Sequence, residues 1–550
     1  MDATDDRTAQ TEAPVKISSS RLSPETLRHV GLIAGCGALF RILYQVGFKP
    51  FWSGDSYVYS NMFFLWTRHF YSTSYRPPLY ALFLGLVQEL TGTPLLPSRM
   101  GIASLYSVVY LQCFLGLTVA LLVYASLRVL EIRPRIALAG GLAFSLIGGI
   151  CMAELLILTE LLSLFFIALA SLMFLIAMRA LQARGRFRWP ALASGLTFSL
   201  AILTRPENLV FFLVFVTLLI LLCVRSRFLG NLRWASRPLY RLALLLVVSA
   251  SPLVLLWMTF TLLNIGQFRL AIVTGVTRTE AVYNLFDRLG PEDHVARELL
   301  QKSYAYTNRD GATYRHHVWF AMPELEEAAN AGALPINVHE HLPTSPALLA
   351  VRHWLNRNFG FQEHIVANGR IIFQPVDLYD YLGALSSKLE RRYPTAYLRN
   401  VLENFFIETF RYDYAPPSPA ETENPQAPEG GSAVRSVAIY DVALWINRIE
   451  SPFLSAAYVV LLVFVLVSPW IFFAGREETL LQDAAVCILA VSAFAVIAAS
   501  CVVAAYYPEH GIALFGVLVI CVCYALNNRE RIKGRILAGL RSPRPSAPVR

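Results

Sequence analysis

The sequence predicts a mainly α-helical, polytopic membrane bundle of about ten spanning helices, with a sizeable α or α+β segment outside the membrane. Three observations predict it. Of 550 residues, 55% are hydrophobic and only 15% charged, with a mean hydropathy of +0.49, whereas about a quarter of the residues of a soluble domain are charged. Apolar runs long enough to cross a hydrocarbon core of about 30 Å recur along the chain. Arginines gather in alternate connections between those runs, the positive-inside pattern. This composition excludes a cytosolic enzyme, a disordered scaffold and a nucleic-acid-binding domain. The net charge of +9 and pI near 9.1 then reflect arginines of inner loops rather than a polyanionic partner.

Residues 1–28 read as a cytoplasmic tail. They mix acidic and basic residues with Ser and Pro and lack an apolar h-region, so no cleavable signal peptide is expected. Ten apolar runs follow, at about 29–48, 104–127, 136–152, 156–178, 190–204, 207–224, 241–264, 453–474, 483–505 and 511–527. The third and fifth are short enough to be re-entrant. The runs divide the chain into an N-terminal membrane module, 29–264, with a first outer loop at 49–103. A second outer segment covers 265–452, C-terminal membrane helices 453–527 and a basic cytoplasmic tail 528–550.

With the N-terminus inside, the inner loops hold Arg128, Arg133 and Arg135, then Arg179, Arg184, Arg186 and Arg188, then Arg225, Arg227, Arg233, Arg237 and Arg241. The C-terminal tail adds Arg529, Arg531, Lys533, Arg535, Arg541 and Arg544. Of the short outer turns, only that at 204–207 carries a basic residue, Arg205. The expected topology is therefore N-in and C-in across a bacterial inner membrane, with the outer segments periplasmic.

The outer segment shows helical spacing at 281–306 and 378–410. The second stretch either lies along the membrane surface or packs on its own domain. Residues 415–434 form a Pro-, Glu- and Ser-rich loop. All eight cysteines fall in apolar stretches, so neither a disulfide framework nor a CxxC metal pattern is expected. The sequence carries neither GxxxxGK[ST] nor GxGxxG to cradle nucleotide phosphates.

Ionisable residues in or beside membrane helices are costly, and by default mark function. Four clusters qualify. The segment Phe51–Tyr59 carries Tyr59 and Asp55, where a carboxylate at the membrane surface can take a proton from a hydroxyl; the plainer reading of Asp55 is a helix N-cap. Arg76 stands just before Pro77-Pro78, positioned to pair with a phosphate; the plainer reading is contact with lipid headgroups. Glu160 follows Thr159 near the outer end of the fourth run, and an unpaired carboxylate there needs a partner or a proton. Arg205, in Thr204-Arg205-Pro206-Glu207, comes out on the same side as Glu160, which makes an ion pair the plainest expectation. Arg269 and Arg278 follow the seventh run and are further phosphate-contact candidates.

In this order and spacing, the Gly54-Asp55 segment, RPPLYALFL from Arg76, LILTELL around Glu160 and GLTFSLAILTRPENL around Arg205 resemble the integral-membrane glycosyltransferases of the GT-C class. The nearest branch is family 39, with the lipid A aminoarabinose transferase and the protein O-mannosyltransferases. The resemblance covers roughly residues 30–225. It implies a polyprenyl-phosphate sugar donor, work on the outer face, and Asp55 as base or orienter of the acceptor hydroxyl. It also implies a donor contact near Arg76 and a supporting role for Glu160 and Arg205. Ser56 stands where many relatives have a second acid, which weighs against a metal site built on such a pair. His316-His317 and His339-x-His341 lack a third ligand of convincing spacing and read as surface histidines. The cofactor is unknown: a divalent metal is compatible with the chemistry but not indicated by the residues.

The expected function is transfer of a sugar, with inversion, from a polyprenyl-phosphate carrier to a glycolipid, glycan or protein acceptor, amid membrane lipids and without nucleic acid. The alternative from another class is a secondary transporter or flippase of a lipid-linked substrate. It explains the helices and Glu160 equally well, but not the large outer segment or the two outer Arg-Pro sequences. An O-antigen ligase or polymerase is a further rival.

Overall fold

Helix α1, Pro24–Gly47, begins where the Ser23 hydroxyl accepts the Thr26 amide at 3.2 Å and Pro24 occupies the first turn. The computed structural model describes residues 23–50, 56, 59–60, 62–63, 76–92, 102–228, 233–265, 267–271, 274–309, 317–336, 346–359, 366–367, 370–371, 376–410, 436–474, 480–503, 512 and 514–532. The N-terminal module continues with α2 (Leu79–Thr91), α3 (Ile102–Val129), α4 (Pro134–Ser145), α5 (Gly148–Leu155), α6 (Glu160–Gln182), α7 (Arg188–Thr204), α8 (Asn208–Phe228) and α9 (Arg233–Ile265). Pro78 starts α2, and Gly92 ends it in the left-handed region at φ +65°.

The next segment holds α10 (Thr274–Glu280), α11 (His294–Arg309), α12 (His317–Asn330), α13 (Pro346–Phe359), α14 (Val376–Arg392) and α15 (Pro394–Phe410). It also carries one antiparallel pair of two-residue strands, β1 (Val366–Ala367) and β2 (Arg370–Ile371). The chain returns through α16 (Val437–Ala474), α17 (Leu480–Val503) and α18 (Phe515–Asn527). The fold is a mainly α, polytopic membrane bundle.

Each of the ten predicted apolar runs coincides with a helix. Among the described residues, seven helices are long and apolar enough to cross a membrane, or eight if α4 and α5, bent by 43°, make one broken span. The third run is thus a bent pair, as its shortness suggested. The runs at 190–204 and 511–527 become the 17-residue α7 and the 13-residue α18. The largest departure is α16. It starts at Val437, some 16 residues before the run that begins at 453, and runs through Pro452. Asp441, Arg448 and Glu450 interrupt the apolar pattern there, so the helix starts earlier than the apolar run; the Gly148 amide partners Glu450, as described below.

The bundle packs α6 between α3 and α7, α9 against α7 and α8, and α17 against α8. Lipid removes the hydrophobic drive between helices, so small residues and hydrogen bonds hold them together. The Asn208 amide donates to the Ser163 hydroxyl and to the Ala201 carbonyl, both at 2.8 Å, and the Ser194 hydroxyl reaches the Ala170 carbonyl at 2.9 Å. Gly195 marks the tightest crossing: a methyl there would sit 2.4 Å from the Leu246 carbonyl oxygen and 3.0 Å from its Cα.

Between α9 and α16, a separate apolar core joins Val276, Leu285, Phe286, Leu300, Leu325, Leu382 and Leu385. Helix α14 packs on α10 within that core, while α15 rests on α17, with Phe405 edge-on to Phe494 at 5.6 Å. Within 378–410, the first half packs in its own segment, and the second half bridges that segment, through Tyr397 and Asn400, to the membrane bundle.

Gly195→Ala should cost about 1–3 kcal/mol, because the Leu246 backbone, and not only the Ser249 hydroxyl at 2.0 Å, blocks the methyl. Gly31→Ala, where a methyl meets nothing within 4 Å, should stay within about 0.5 kcal/mol of the parent. Thermal unfolding of the two variants in detergent measures the contrast.

Candidate functional site

The broken span α4–α5 organises one face of the site. At its bend, the terminal carbonyls of α4 and the leading amides of α5 lack partners within the helices. Two charged side chains supply them. The Arg41 guanidinium on α1 donates through Nη1 to the Ser145 and Gly37 carbonyls, both at 3.1 Å. The Glu450 carboxylate on α16 accepts the Gly148 amide with both oxygens, at 2.7 and 2.9 Å. Each charge has the sign that the local helix dipole favours: cation at a C-terminus, anion at an N-terminus.

Arg41 also grips Glu154 of α5, with Nη2 at 2.6 Å and Nε at 3.0 Å from Oε1, and both side chains are buried. Glycine makes the room. A methyl on Gly116 would lie 1.9 Å from Glu154 Oε1, and one on Gly37 would lie 2.0 Å from the Ser145 hydroxyl.

The far end of α5 is tied to the first outer loop. The Gln112 side-chain amide donates to the Glu154 carbonyl at 2.8 Å and to the Leu156 carbonyl at 2.9 Å, and its oxygen accepts the Tyr80 hydroxyl at 2.8 Å. Tyr80 is fully buried and meets Tyr59 edge-on, with centroids 5.1 Å apart. Ser56 donates to the Ile157 carbonyl at 2.6 Å. The loop residues Ser56 and Tyr59 are thereby fastened to the turn that precedes α6.

Glu160 opens α6, where a carboxylate suits the helix N-terminus. It accepts from Arg205 Nη1 at 2.8 Å, while Nη2 reaches Glu207 at 3.1 Å. Glu160 and Arg205 are both buried, and the Glu160 carboxylate lies within electrostatic reach of Tyr80. The ion pair expected from the sequence is formed. The two acids around Arg205 leave the trio with one net negative charge. Arg76 is half-buried beside the buried Pro77 and Pro78, directly before α2.

Arg269 and Arg278 are engaged elsewhere. Arg269 pairs with Asp380 at 2.6 Å. Arg278 forms a two-pronged bridge to Glu390, with Nε at 2.7 Å and Nη2 on the second oxygen. The hydrogen bonds to Glu390 hold the Arg278 guanidinium above its usual range. Both carboxylates belong to α14. Sequence reasoning found the arginines but not these partners, which lie 111 and 112 residues away. It also missed Arg41, Gln112, Tyr80 and Glu450. The signals were present: an arginine inside the first apolar run, a glutamine inside the second, and a carboxylate two residues before Pro452.

Asp55 lies outside the described residues, as do His316, His339, His341 and Tyr506–His510. Among the described residues, no group of three or more His, Cys, Asp or Glu side chains is close enough to hold a metal ion.

Comparison with known proteins bears on the same region. Residues 36–264 match the family model of the dolichyl-phosphate-mannose-protein mannosyltransferases, a GT-C family, in agreement with the resemblance drawn from the motifs. No curated protein sequence matches the chain. Among solved structures, the oligosaccharyltransferase AglB of Archaeoglobus fulgidus, in complex with an inhibitory peptide and a dolichol-phosphate, is similar at 13% identity and a TM-score of 0.41, covering 94% of this chain and 52% of that one. ArnT of Cupriavidus metallidurans bound to undecaprenyl phosphate is similar at 15% identity and a TM-score of 0.33, covering 91% and 79%. The chain thus spans about half the length of the archaeal enzyme.

Removing one partner of the buried Arg41–Glu154 pair strands the other, which costs about 3–5 kcal/mol. Arg41→Met and Glu154→Leu should each lower the melting temperature strongly. The double variant should recover part of the loss, but not all, because Arg41 also serves the Ser145 carbonyl. A double-mutant cycle by thermal unfolding reads the coupling.

Proposed function

We propose that this chain is a GT-C glycosyltransferase. It moves a sugar, with inversion, from a polyprenyl-phosphate donor to a glycolipid, glycan or protein acceptor at the membrane face carrying residues 265–436. One observation carries the reading. The first-loop residues Ser56 and Tyr59, the α2 residue Tyr80 and the buried pair Glu160–Arg205 converge on a single region, and the family match spans all of them.

The chemistry divides among the residues. Asp55, covalently next to Ser56, acts as base toward the acceptor hydroxyl. Attack at the anomeric carbon passes through an oxocarbenium-like state, and the carrier phosphate leaves as an anion. That departure calls for positive charge rather than a proton. Arg76, at the entry to α2, is assigned the phosphate contact. The negative Glu160–Arg205–Glu207 trio suits sugar hydroxyls better than phosphate, so Glu160 is assigned to orient the transferred sugar, with Tyr59 as an apolar wall for its ring. Arg269 and Arg278 act on this reading through their bridges to α14, shaping the outer segment. The acceptor side is the periplasm if the arginine asymmetry sets the topology.

Transfer from a panel of labelled polyprenyl-phosphate monosaccharides, assayed in nanodiscs, tests this reading. Asp55→Asn should lower turnover at least 100-fold, within the range that general acid–base catalysis contributes. Arg76→Ala should weaken donor use, whereas Arg269→Ala should keep most activity. Full turnover by Asp55→Asn, or none by the parent with any donor of the panel, would overturn it.

A further inference from the structure

Helix α13 stands apart from the apolar core of its segment. None of its described side chains belongs to that core, and it packs against α9, the span that delivers the chain to this side of the membrane. Its described residues sort by angle around the helix. Ala347, Ala350, Val351 and Trp354 are exposed and fall on one stripe at helical spacing. Val351 is 45% and Trp354 57% exposed. His353 and Arg357, also exposed, are four residues apart and flank that stripe on one side.

The packing on α9 says what the exposed stripe lies beside. Helix α9 exposes Leu255 and Leu256, and the chain beyond it exposes Phe268. Held on that span, the stripe on α13 adds Val351 and Trp354 to the apolar surface the span offers to lipid. Tryptophan is favoured at this interface, with its ring among the acyl chains and its N–H among headgroups. The two basic residues lie where an in-plane helix turns its flank toward lipid phosphates.

We propose that α13 lies in the plane of the membrane as an interfacial helix. Val351 and Trp354 insert into the headgroup–acyl boundary, and His353 and Arg357 face the phosphates of the same leaflet. The helix then fixes the height of the outer segment above the bilayer.

Nitroxide labels on the full-length protein in nanodiscs test this. Labels are placed singly at Val351→Cys, Trp354→Cys, Arg357→Cys and, as a lipid reference on α9, Leu256→Cys. Each is built in a Cys36→Ser background, Cys36 being the exposed native cysteine. Collision with oxygen should exceed collision with a water-soluble nickel complex at 351 and 354, as at 256. The preference should reverse at 357, and the depth at 351 and 354 should come to about 5–10 Å below the phosphates. A nickel-dominated signal at both 351 and 354 would overturn the proposal, as would exclusion of both reagents, the mark of a protein cover. The measurement uses neither donor nor acceptor, so it succeeds or fails independently of the transfer reaction.

Discussion

A helix cannot break inside a membrane unless something other than water takes the backbone groups that the break sets free. The bend between α4 and α5 meets this demand with two charges drawn from distant parts of the sequence: the buried Arg41 for the carbonyl of Ser145, and the half-buried Glu450 for the amide of Gly148. Without them, eight buried residues of α5 would have no fixed orientation. With them, the carbonyls of Glu154 and Leu156 are aimed at Gln112, Gln112 holds Tyr80, and Tyr80 holds Tyr59. The next turn delivers Glu160. The loop that enters the proposed site is thus positioned by a chain of contacts that begins at the break.

This constraint also ties the two membrane modules together. Glu450 is 302 residues from Gly148, and it sits on the helix that returns from the outer segment. The start of α16 further closes on α1, where Ile439 fills the space a side chain on Gly47 would need. The segment after α9 therefore ends on a helix, α16, that meets both α1 and the broken span. Its own internal bridges, such as Arg269–Asp380, are half-exposed and of the kind worth about 1 kcal/mol or less. Its seat on the bundle comes instead from apolar contact, Phe405 on Phe494 among them.

Much of this was legible in the residues. Among the described residues, each candidate span overlaps an apolar run, because burial in lipid demands length and hydrophobicity regardless of neighbours. The shortness of the third run left a re-entrant reading open, and that run is the bent pair; the shared side of Glu160 and Arg205 announced their pairing. What escaped were residues whose meaning depends on a partner far along the chain. Glu450 looked like the outside of the membrane, since a hydropathy pattern counts any carboxylate as solvated. Only the nearby amide of Gly148 shows it to be a cap. Arg41 likewise reads as a flaw in the first run until Ser145, Gly37 and Glu154 surround it. Arg269 and Arg278 read as cations open to phosphate because the acids of α14 are invisible to local spacing.

Burial and hydrogen-bond capacity separate the charges that build the protein from those able to meet a substrate. A guanidinium has five N–H donors, and Arg41 commits four of them: Nε and one of Nη2 to Glu154, and both of Nη1 to backbone carbonyls. It has no face to offer, and its place deep in the bundle keeps it there. The Glu160–Arg205–Glu207 trio differs in kind. Two carboxylates share one guanidinium there, at the N-terminus of α6 and close to Tyr80. Carboxylates accept from hydroxyl donors, so in the proposed site the sugar and the carrier phosphate occupy different ends. On the proposed reading, Arg76 takes the phosphate end and the carboxylates of the trio take the sugar end.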